Sequence, residues 1–366
     1  MEINKENLKT YLAKKFGGQI KFKEFKKLGK GVYGEAYLID FNSGKGRKKV
    51  VLKTMAEGGF GHDHLSDIAH NLILAHDTFN KLPLHVKSFD VLGLKGDELV
   101  SIGGIKKYYI LLQEAKGKTY DSDLDRIFKE GISDLDKRRV KTLAEYLAKI
   151  HKEKISRPEL YARRARDLIG HGEYIMGVLD GYPKGSFLDE QRKIEFVKKC
   201  VEWWRKLKSY SDRLCVIHGD YHPFNIVFQD EKSSEFILLD RSRGEFGEPA
   251  DDLTAFAMNF IFWSITKYGK LIGEFKELFD LFFETYLKKT KDFQILEVAQ
   301  PFFAFRAIVV ANSVFYPDNW FIERGAKNPN KVREKLFSFA INILDANRID
   351  LQKINDYIEG AKVIYG

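Results

Sequence analysis

The 366-residue sequence predicts an α+β protein whose first third is rich in β-strands and whose remainder is mostly helical. Residues 36–41 and 50–53 are short apolar runs of the kind that form strands. From about Ala255 onwards, apolar residues recur at the three-to-four-residue spacing of helices, most clearly over residues 271–288, 302–315 and 332–344. With 44% hydrophobic residues, a chain of this length can bury a large core and should form two packed lobes.

The most informative segment is residues 218–225, which read HGDYHPFN and are surrounded by three short apolar runs that predict strands, at residues 214–217, 226–228 and 236–239. The turns between these strands place Asp220 and Asn225 on one loop and return Asp240 beside them at a strand end. Carboxylate and amide oxygens arranged in this way suit Mg²⁺, which keeps water and phosphate oxygens as its other ligands. Phosphoryl transfer needs such a metal and a carboxylate that orients the attacking hydroxyl. The alternative is a turn-rich β-meander whose polar residues coincide by chance.

The order of these residues, His-x-Asp followed by an asparagine and then by an aspartate at a strand end, resembles the catalytic segment of the aminoglycoside phosphotransferase and choline kinase family. The resemblance implies a protein-kinase-like two-lobe fold, with a small β-rich N-lobe and a mostly helical C-lobe. It also implies that Asp220 is the catalytic base and that Asn225 and Asp240 are metal ligands. His218 would orient the loop.

A glycine-rich segment upstream fits the same family. Residues 28–37 read LGKGVYGEAY, in which Gly29, Gly31 and Gly34 lie between two predicted strands. A dinucleotide-binding GxGxxG would open a helix directly after the glycines. Because the continuation here is strand-like, a hairpin that covers phosphates fits better. The next strand ends at Lys53, as the kinase pattern requires of the lysine that pairs with the α and β phosphates.

A carboxylate on the next predicted helix should pair with Lys53. Asp67, at the start of the apolar stretch over residues 68–82, is the preferred candidate. Asp77 lies in the same stretch and is the alternative, and either residue could simply belong to the exposed face of the helix.

Residues 108–112 form an apolar run that resembles the strand leading into the hinge between the two lobes. The family uses the backbone of this hinge to meet the adenine, which assigns that role to Glu114 and Ala115. The resemblance thus divides the chain into residues 1–115, a nucleotide-binding N-lobe, and residues 116–366, a C-lobe with the catalytic loop and the helices of the acceptor site. By family analogy Arg306, Tyr316 and Trp320 lie near that site.

Residues 247–253, GEPADDL, resemble the family's GxPxxDL element, in which the aspartate corresponding to Asp252 anchors the catalytic loop. An acidic helix N-terminus stabilised by the helix dipole explains the same residues and is compatible with that role. Pro249 suits the first helical position, where its missing amide hydrogen costs nothing. His151, at the end of a stretch with helical spacing, is expected to be a packed structural residue.

Some relatives carry a second acidic residue two places after the metal-binding aspartate, whereas in this chain Asp240 is followed by Arg241, Ser242 and Arg243. The two arginines could stabilise negative charge that develops on the transferred phosphate or hold an anionic substrate. They could equally pair with Glu245 and Glu248, and we favour this structural interpretation slightly.

Composition excludes several classes of partner. The only cysteines are Cys200 and Cys215, which predicts a reduced, cytoplasmic protein. Neither a signal peptide nor an apolar run of about 18 residues is visible, so we expect no membrane partner. The net charge of +9 raises the question of nucleic acid, but the basic residues are interspersed with 52 acidic ones and no RNA-binding motif appears. We therefore expect no nucleic-acid partner.

The predicted function is a kinase that uses ATP or GTP with Mg²⁺ to phosphorylate a hydroxyl group of a small molecule. A sugar, an amino alcohol, a nucleoside or an aminoglycoside remains possible as the acceptor, and the oligomeric state stays open. One alternative is a protein kinase-like enzyme, although HGDYHPFN differs from HRDLxxxN and no segment ending in APE is present. The other is a catalytically silent nucleotide-binding pseudokinase, which the joint presence of Lys53, Asp220, Asn225 and Asp240 argues against.

Overall fold

A computed structural model of the chain describes residues 4–31, 34–56, 65–100, 108–241 and 243–360. Their contacts divide the chain into two compact units. The first unit comprises Met1–Lys116 and Ile237–Arg243, and the second comprises Gly117–Phe236 and Gly244–Gly366. A short segment late in the sequence therefore belongs to the first unit.

The first unit contains an antiparallel six-stranded sheet in the order β1-β2-β3-β6-β4-β5. Its strands are β1 (Lys21–Gly31), β2 (Gly34–Ser43), β3 (Gly46–Thr54), β4 (Ser88–Lys95), β5 (Glu98–Val100) and β6 (Tyr108–Gln113), and its helices are α1 (Lys5–Phe16) and α2 (Leu65–Phe79). Successive side chains of a strand point to opposite faces. Val50 and Leu52 accordingly pack with Leu8 and Leu12 of α1, whereas Val51 packs with the cluster that includes α2.

The second unit is mostly helical. Its helices are α3 (Tyr120–Glu130), α4 (Asp134–Ile150), α5 (Pro158–Gly170), α6 (Ile175–Asp180), α7 (Glu190–Leu207), α8 (Pro249–Tyr268), α9 (Gly273–Thr290), α10 (Ile295–Val298), α11 (Gln300–Ala311), α12 (Asp318–Glu323), α13 (Pro329–Leu344) and α14 (Ile354–Glu359). The short strands β7 (Lys118–Thr119) and β9 (Ile226–Phe228) pair with each other, as do β8 (Cys215–Val216) and β11 (Phe246–Gly247). β10 (Phe236–Leu238) runs from this unit into the Ile237–Arg243 segment.

Helix α8 lies at the centre of the second unit and is buried over almost its whole length. It is apolar on nearly all faces, which is typical of a helix that is surrounded by other helices. It begins at Pro249, as the sequence predicts, and its first turn carries Asp251 and Asp252. These carboxylates are therefore held in the interior of the unit.

The α+β class and the order of a β-rich part followed by a helical part are confirmed. The predicted helices are present with ends shifted by a few residues, because local caps set the termini. Asn328, for example, accepts a hydrogen bond from the Lys331 amide and starts α13 before the apolar pattern begins. Within the described ranges, no helix is both long and apolar enough to cross a membrane.

Candidate active site

The loop over residues 218–225 lies in the second unit, after β8 and before β9. Gly219 has φ of +84°, a conformation that glycine adopts without the steric cost of a Cβ atom. The loop ends in a single 3₁₀ turn, Pro223–Asn225. The Asp220 side chain is 17% exposed, so it remains accessible at the surface of the loop.

Asp252 holds the backbone of this loop from α8. Its carboxylate is fully buried and accepts hydrogen bonds from the amides of His218 and Gly219, each at 2.7 Å. His151 Nε2 lies 3.1 Å from the same carboxylate, and His151 Nδ1 lies 2.9 Å from the Tyr286 hydroxyl. Burial alone would raise the pKa of Asp252, but interactions with His151 and His218, including the hydrogen bond from the His218 amide, together outweigh it, so the pKa lies below its ordinary value. The carboxylate therefore stays ionised as an acceptor for the loop.

Arg306 contacts the Asp220 side chain. Its Nη1 donates to Asp220 Oδ1 at 2.7 Å, and its Nη2 donates to the Gly219 carbonyl at 3.2 Å and to Asp251 Oδ1 at 2.6 Å. The sequence placed Arg306 near the acceptor site but did not predict these contacts. One signal was available, because Arg306 is the single charge in the apolar segment PFFAFRAIVVA and a buried guanidinium needs partners.

Asn225 has a side chain suited to a cation. Its Nδ2 donates to the Asp220 carbonyl at 3.0 Å and lies 3.2 Å from His222 Nε2. Its Oδ1 accepts no hydrogen bond from the part of the chain that the structure describes, so this oxygen is available to a metal ion. Among the described residues no group of three His, Cys, Asp or Glu side chains could hold a metal by itself. Mg²⁺ tolerates such a sparse set because water and phosphate supply its other ligands.

Aromatic side chains lie beside the loop over residues 218–225. The Phe224 ring stacks on Trp320 with centroids 5.4 Å apart, and it meets the edge of Tyr316 at 6.3 Å. Burial raises the pKa of Tyr316, and the charge of Asp220 adds to the effect. The predicted acceptor-site residues Tyr316 and Trp320 thus lie next to the loop that carries Asp220.

In the first unit, β1 and β2 form an antiparallel hairpin with Gly31 opposite Gly34, and no helix follows the glycines. A Cβ atom on Gly34 would lie 1.8 Å from the Thr54 carbonyl oxygen, so only glycine fits there. A Cβ atom on Gly29 would meet no atom within 4 Å. The close approach of β2 to the end of β3 therefore depends on Gly34 and not on Gly29.

Lys53 forms an ion pair with Asp240, with Nζ and Oδ1 2.5 Å apart. This pair differs from the predicted pairing of Lys53 with Asp67, which stays a prediction. The Lys53–Asp240 pair follows from tertiary packing, because Ile237 and Leu239 pack against the cluster around α2 and thereby bring Asp240 to the lysine. Asp240 itself has φ of +57°, a left-handed conformation that aspartate tolerates better than most residues. Asp67 is in the first turn of α2.

Arg241 is 1% exposed and its Nη1 donates to the Thr78 carbonyl at 3.1 Å. This contact within the first unit favours the structural interpretation over a role at the phosphate. Glu248 accepts hydrogen bonds from Arg213 and from the Tyr161 hydroxyl, and its pairing with Arg241 or Arg243 stays a prediction. Arg243 is partly buried.

The predicted hinge residues Glu114 and Ala115 directly follow β6 and are both partly buried. Ala115 packs against the apolar cluster around α2. The backbone at this point leaves the sheet of the first unit and enters the second unit at Gly117.

Comparison with known proteins gives a consistent result. Residues 96–269 match the model of the APH family, described as "Phosphotransferase enzyme family". No curated protein sequence matches the chain. A structure from Ralstonia eutropha JMP134, described as a "putative aminoglycoside phosphotransferase", superposes with a TM-score of 0.50 at 12% identity and covers 99% of this chain and 100% of its own.

Two further structures are similar at lower TM-scores. Choline kinase from Cryptosporidium parvum Iowa II has a TM-score of 0.48 at 13% identity, covering 88% of this chain and 94% of its own. The aminoglycoside phosphotransferase APH(3'')-Id from Streptomyces rimosus, in complex with ADP and streptomycin, has a TM-score of 0.43 at 15% identity, covering 72% and 90%. Together with the family match, the R. eutropha superposition confirms the predicted resemblance to this phosphotransferase family and its kinase-like fold.

Proposed function

We propose that the protein is a kinase that transfers the γ-phosphate of ATP or GTP, with Mg²⁺, to a hydroxyl group of a small molecule. The observation that carries the proposal is the arrangement around Asp220. Its loop is held by the buried Asp252, and its carboxylate contacts Arg306. Asn225, on the same loop, offers an amide oxygen that accepts no hydrogen bond from the described residues. The match of residues 96–269 to a phosphotransferase family supports the same reaction.

In the proposed reaction, Asp220 accepts the proton of the acceptor hydroxyl while the hydroxyl oxygen bonds to the γ-phosphorus. The bond from that phosphorus to the β–γ bridging oxygen breaks, and ADP or GDP leaves with this oxygen. Such transfer depends mainly on positioning and on neutralisation of charge. Mg²⁺, when bound, supplies that neutralisation at the phosphates, and Asn225 and Asp240 would hold it.

The first unit would bind the nucleotide. Lys53 would contact the α and β phosphates, since it ends β3 after the glycine hairpin. The hairpin with Gly29, Gly31 and Gly34 would cover the phosphates. The backbone at Glu114 and Ala115 would meet the base.

The test is a screen of hydroxyl compounds with Mg-ATP and Mg-GTP, read by the mass gained when an acceptor takes up a phosphoryl group. For any acceptor found, Asp220→Asn should lower kcat by about 10²–10⁴-fold, because the general base is lost. Asp230→Asn is the matched control, since Asp230 is exposed and serves as the acceptor of a turn in the same unit.

Unchanged turnover in Asp220→Asn would contradict the assignment of the base. Nucleotide binding without turnover of any acceptor would favour the pseudokinase alternative. Phosphorylation of protein substrates alone would favour a protein kinase-like activity.

A further inference from the structure

Arg306 is a buried cation in an apolar helix. It is 5% exposed, and the remaining described residues of α11 are almost all buried and mostly apolar. Taking a guanidinium out of water is costly unless its hydrogen bonds are replaced by well-placed acceptors. The partners that it finds are therefore informative about what this residue does.

The contacts of Arg306 converge on the catalytic loop and its support. Nη1 reaches the Asp220 carboxylate, while Nη2 reaches the Gly219 carbonyl and the Asp251 carboxylate. The planar guanidinium directs these donors in fixed directions, which a lysine ammonium does not. One side chain from α11 thus joins the catalytic loop to the first turn of α8.

We propose that Arg306 is a positioning residue for phosphoryl transfer, which it serves by fixing the orientation of the Asp220 carboxylate through Oδ1. This inference rests on the function proposed above, in which Asp220 is the base. Asp252 holds the loop through the amides of His218 and Gly219, and these contacts leave the side-chain torsions of Asp220 unrestricted. Arg306 contacts the carboxylate itself at Oδ1 and restricts these torsions, alongside His222 Nε2 at 3.3 Å and Asn225 Nδ2 at 3.5 Å from Oδ2.

Asp251 completes the arrangement, because its carboxylate orients the Arg306 guanidinium at 2.6 Å. The neighbouring residues Asp251 and Asp252 of α8 therefore act on the catalytic loop in two different ways. Asp252 binds the loop backbone directly, and Asp251 acts on the base through Arg306. The carboxylate of Asp220 is held from a helix that lies more than eighty residues further along the chain.

The first test replaces Arg306 by methionine and by lysine. In Arg306→Met we expect kcat to fall about 10²-fold, the size of effect that a misplacement of about 1 Å can produce. The KM for the nucleotide should stay within about twofold, since the loss concerns the transition state and not nucleotide binding. Arg306→Lys should recover part of kcat because it can keep the charge beside Asp220 while losing the other contacts.

The matched control is Arg139→Met. Arg139 is also a buried arginine of the second unit, and it also binds one carboxylate side chain, that of Asp123, together with backbone carbonyls. Its backbone partners, Asp230 and Ser233, lie in the turn after β9, and none of its partners belongs to the loop over residues 218–225. We expect this variant to lower the thermal unfolding midpoint and to leave kcat unchanged, whereas a fall in kcat equal to that of Arg306→Met would overturn a specific role for Arg306.

A second test separates positioning from a general structural role. If Arg306 acts through Asp220, then adding Arg306→Met to Asp220→Asn should lower kcat little further, because the group that it positions is already lost. Full additivity of the two losses would overturn the proposal. If Arg306→Met does not fold, Arg306→Lys decides: a lowered kcat at an unchanged unfolding midpoint supports positioning, and wild-type kcat refutes it.

Kinetics of the two variants distinguish a failure of this inference from a failure of the proposed function. Loss of turnover in Asp220→Asn combined with wild-type kcat in Arg306→Met overturns the inference and leaves the proposed function intact. Wild-type turnover in Asp220→Asn overturns the assignment of the base and, with it, the role of Arg306.

Discussion

The predicted site residues of the two units are held in contrasting ways. In the second unit, Asp252 is fully buried and binds two backbone amides, and Arg306 is 5% exposed. In the first unit, the Lys53 and Asp240 side chains are 32% and 39% exposed and are joined by an ion pair. Exposed pairs contribute little to stability, whereas breaking a buried charged network is costly. The loop over residues 218–225 is thus built on buried contacts, whereas the more exposed Lys53–Asp240 pair can rearrange if, as proposed, it binds phosphates and a cation.

The strongest way to break this contrast is Asp252→Asn. The asparagine keeps the shape of the side chain but presents an amide group to two backbone donors and loses the charge. We expect a loss of about 3–5 kcal/mol in the free energy of unfolding, as for a broken buried pair. The loop should also shift, which would lower kcat by about 10²-fold. Urea unfolding and turnover measure the two effects.

Asp136→Asn is the control for Asp252→Asn. Asp136 is also fully buried in the second unit and binds Arg126 and the backbone and side chain of Ser133. Asp136→Asn should lower the free energy of unfolding and leave kcat unchanged. Equal kcat values for the two variants would show that Asp252 has no special connection to the catalytic loop.

Lys53→Met tests the same contrast in the first unit. Because its ion pair is partly exposed, we expect a change of less than about 1 kcal/mol in the free energy of unfolding. The kcat/KM for the nucleotide should fall about 10²-fold, as when one donor to a developing charge is removed. Steady-state kinetics and thermal unfolding are the measurements.

Lys15→Met provides the comparison for Lys53→Met. Lys15 forms an ion pair of similar exposure with Asp90 in the same unit, at 3.0 Å. Lys15→Met should leave kcat/KM for the nucleotide unchanged. A large stability loss in Lys53→Met alone would mean that its pair is structural and not available to a ligand.

An effect on stability alone is expected from the glycine hairpin. In Gly34→Ala the new methyl group would overlap the Thr54 carbonyl, so the strands must move apart at a cost of about 1–3 kcal/mol. Gly29→Ala lies in the same hairpin and meets no atom, so it should not lower the unfolding midpoint. Equal midpoints for the two variants would contradict the packing that the structure shows for β2 and β3.

Local patterns in the sequence were sufficient to predict the fold class and the loop that carries Asp220 and Asn225 between two short strands. Strand and helix periodicities depend on which face of an element is buried, so the β-rich and helical parts and the strand β9 could be predicted from neighbouring residues. The HGDYHPFN loop could likewise be predicted from residues that are close together in the sequence. Asp220 and Asn225 lie five residues apart, and one turn brings the Asn225 amide to the Asp220 carbonyl.

Pairings between distant residues were decided only by tertiary structure. Lys53 pairs with Asp240, 187 positions further along the chain, because Ile237 and Leu239 pack against the cluster around α2. Arg306 meets Asp220 because α8 and α11 pack in one helical core. The sequence shows that a buried charge must have a partner. Which carboxylate becomes that partner depends on how the apolar faces of separate helices and strands pack against one another.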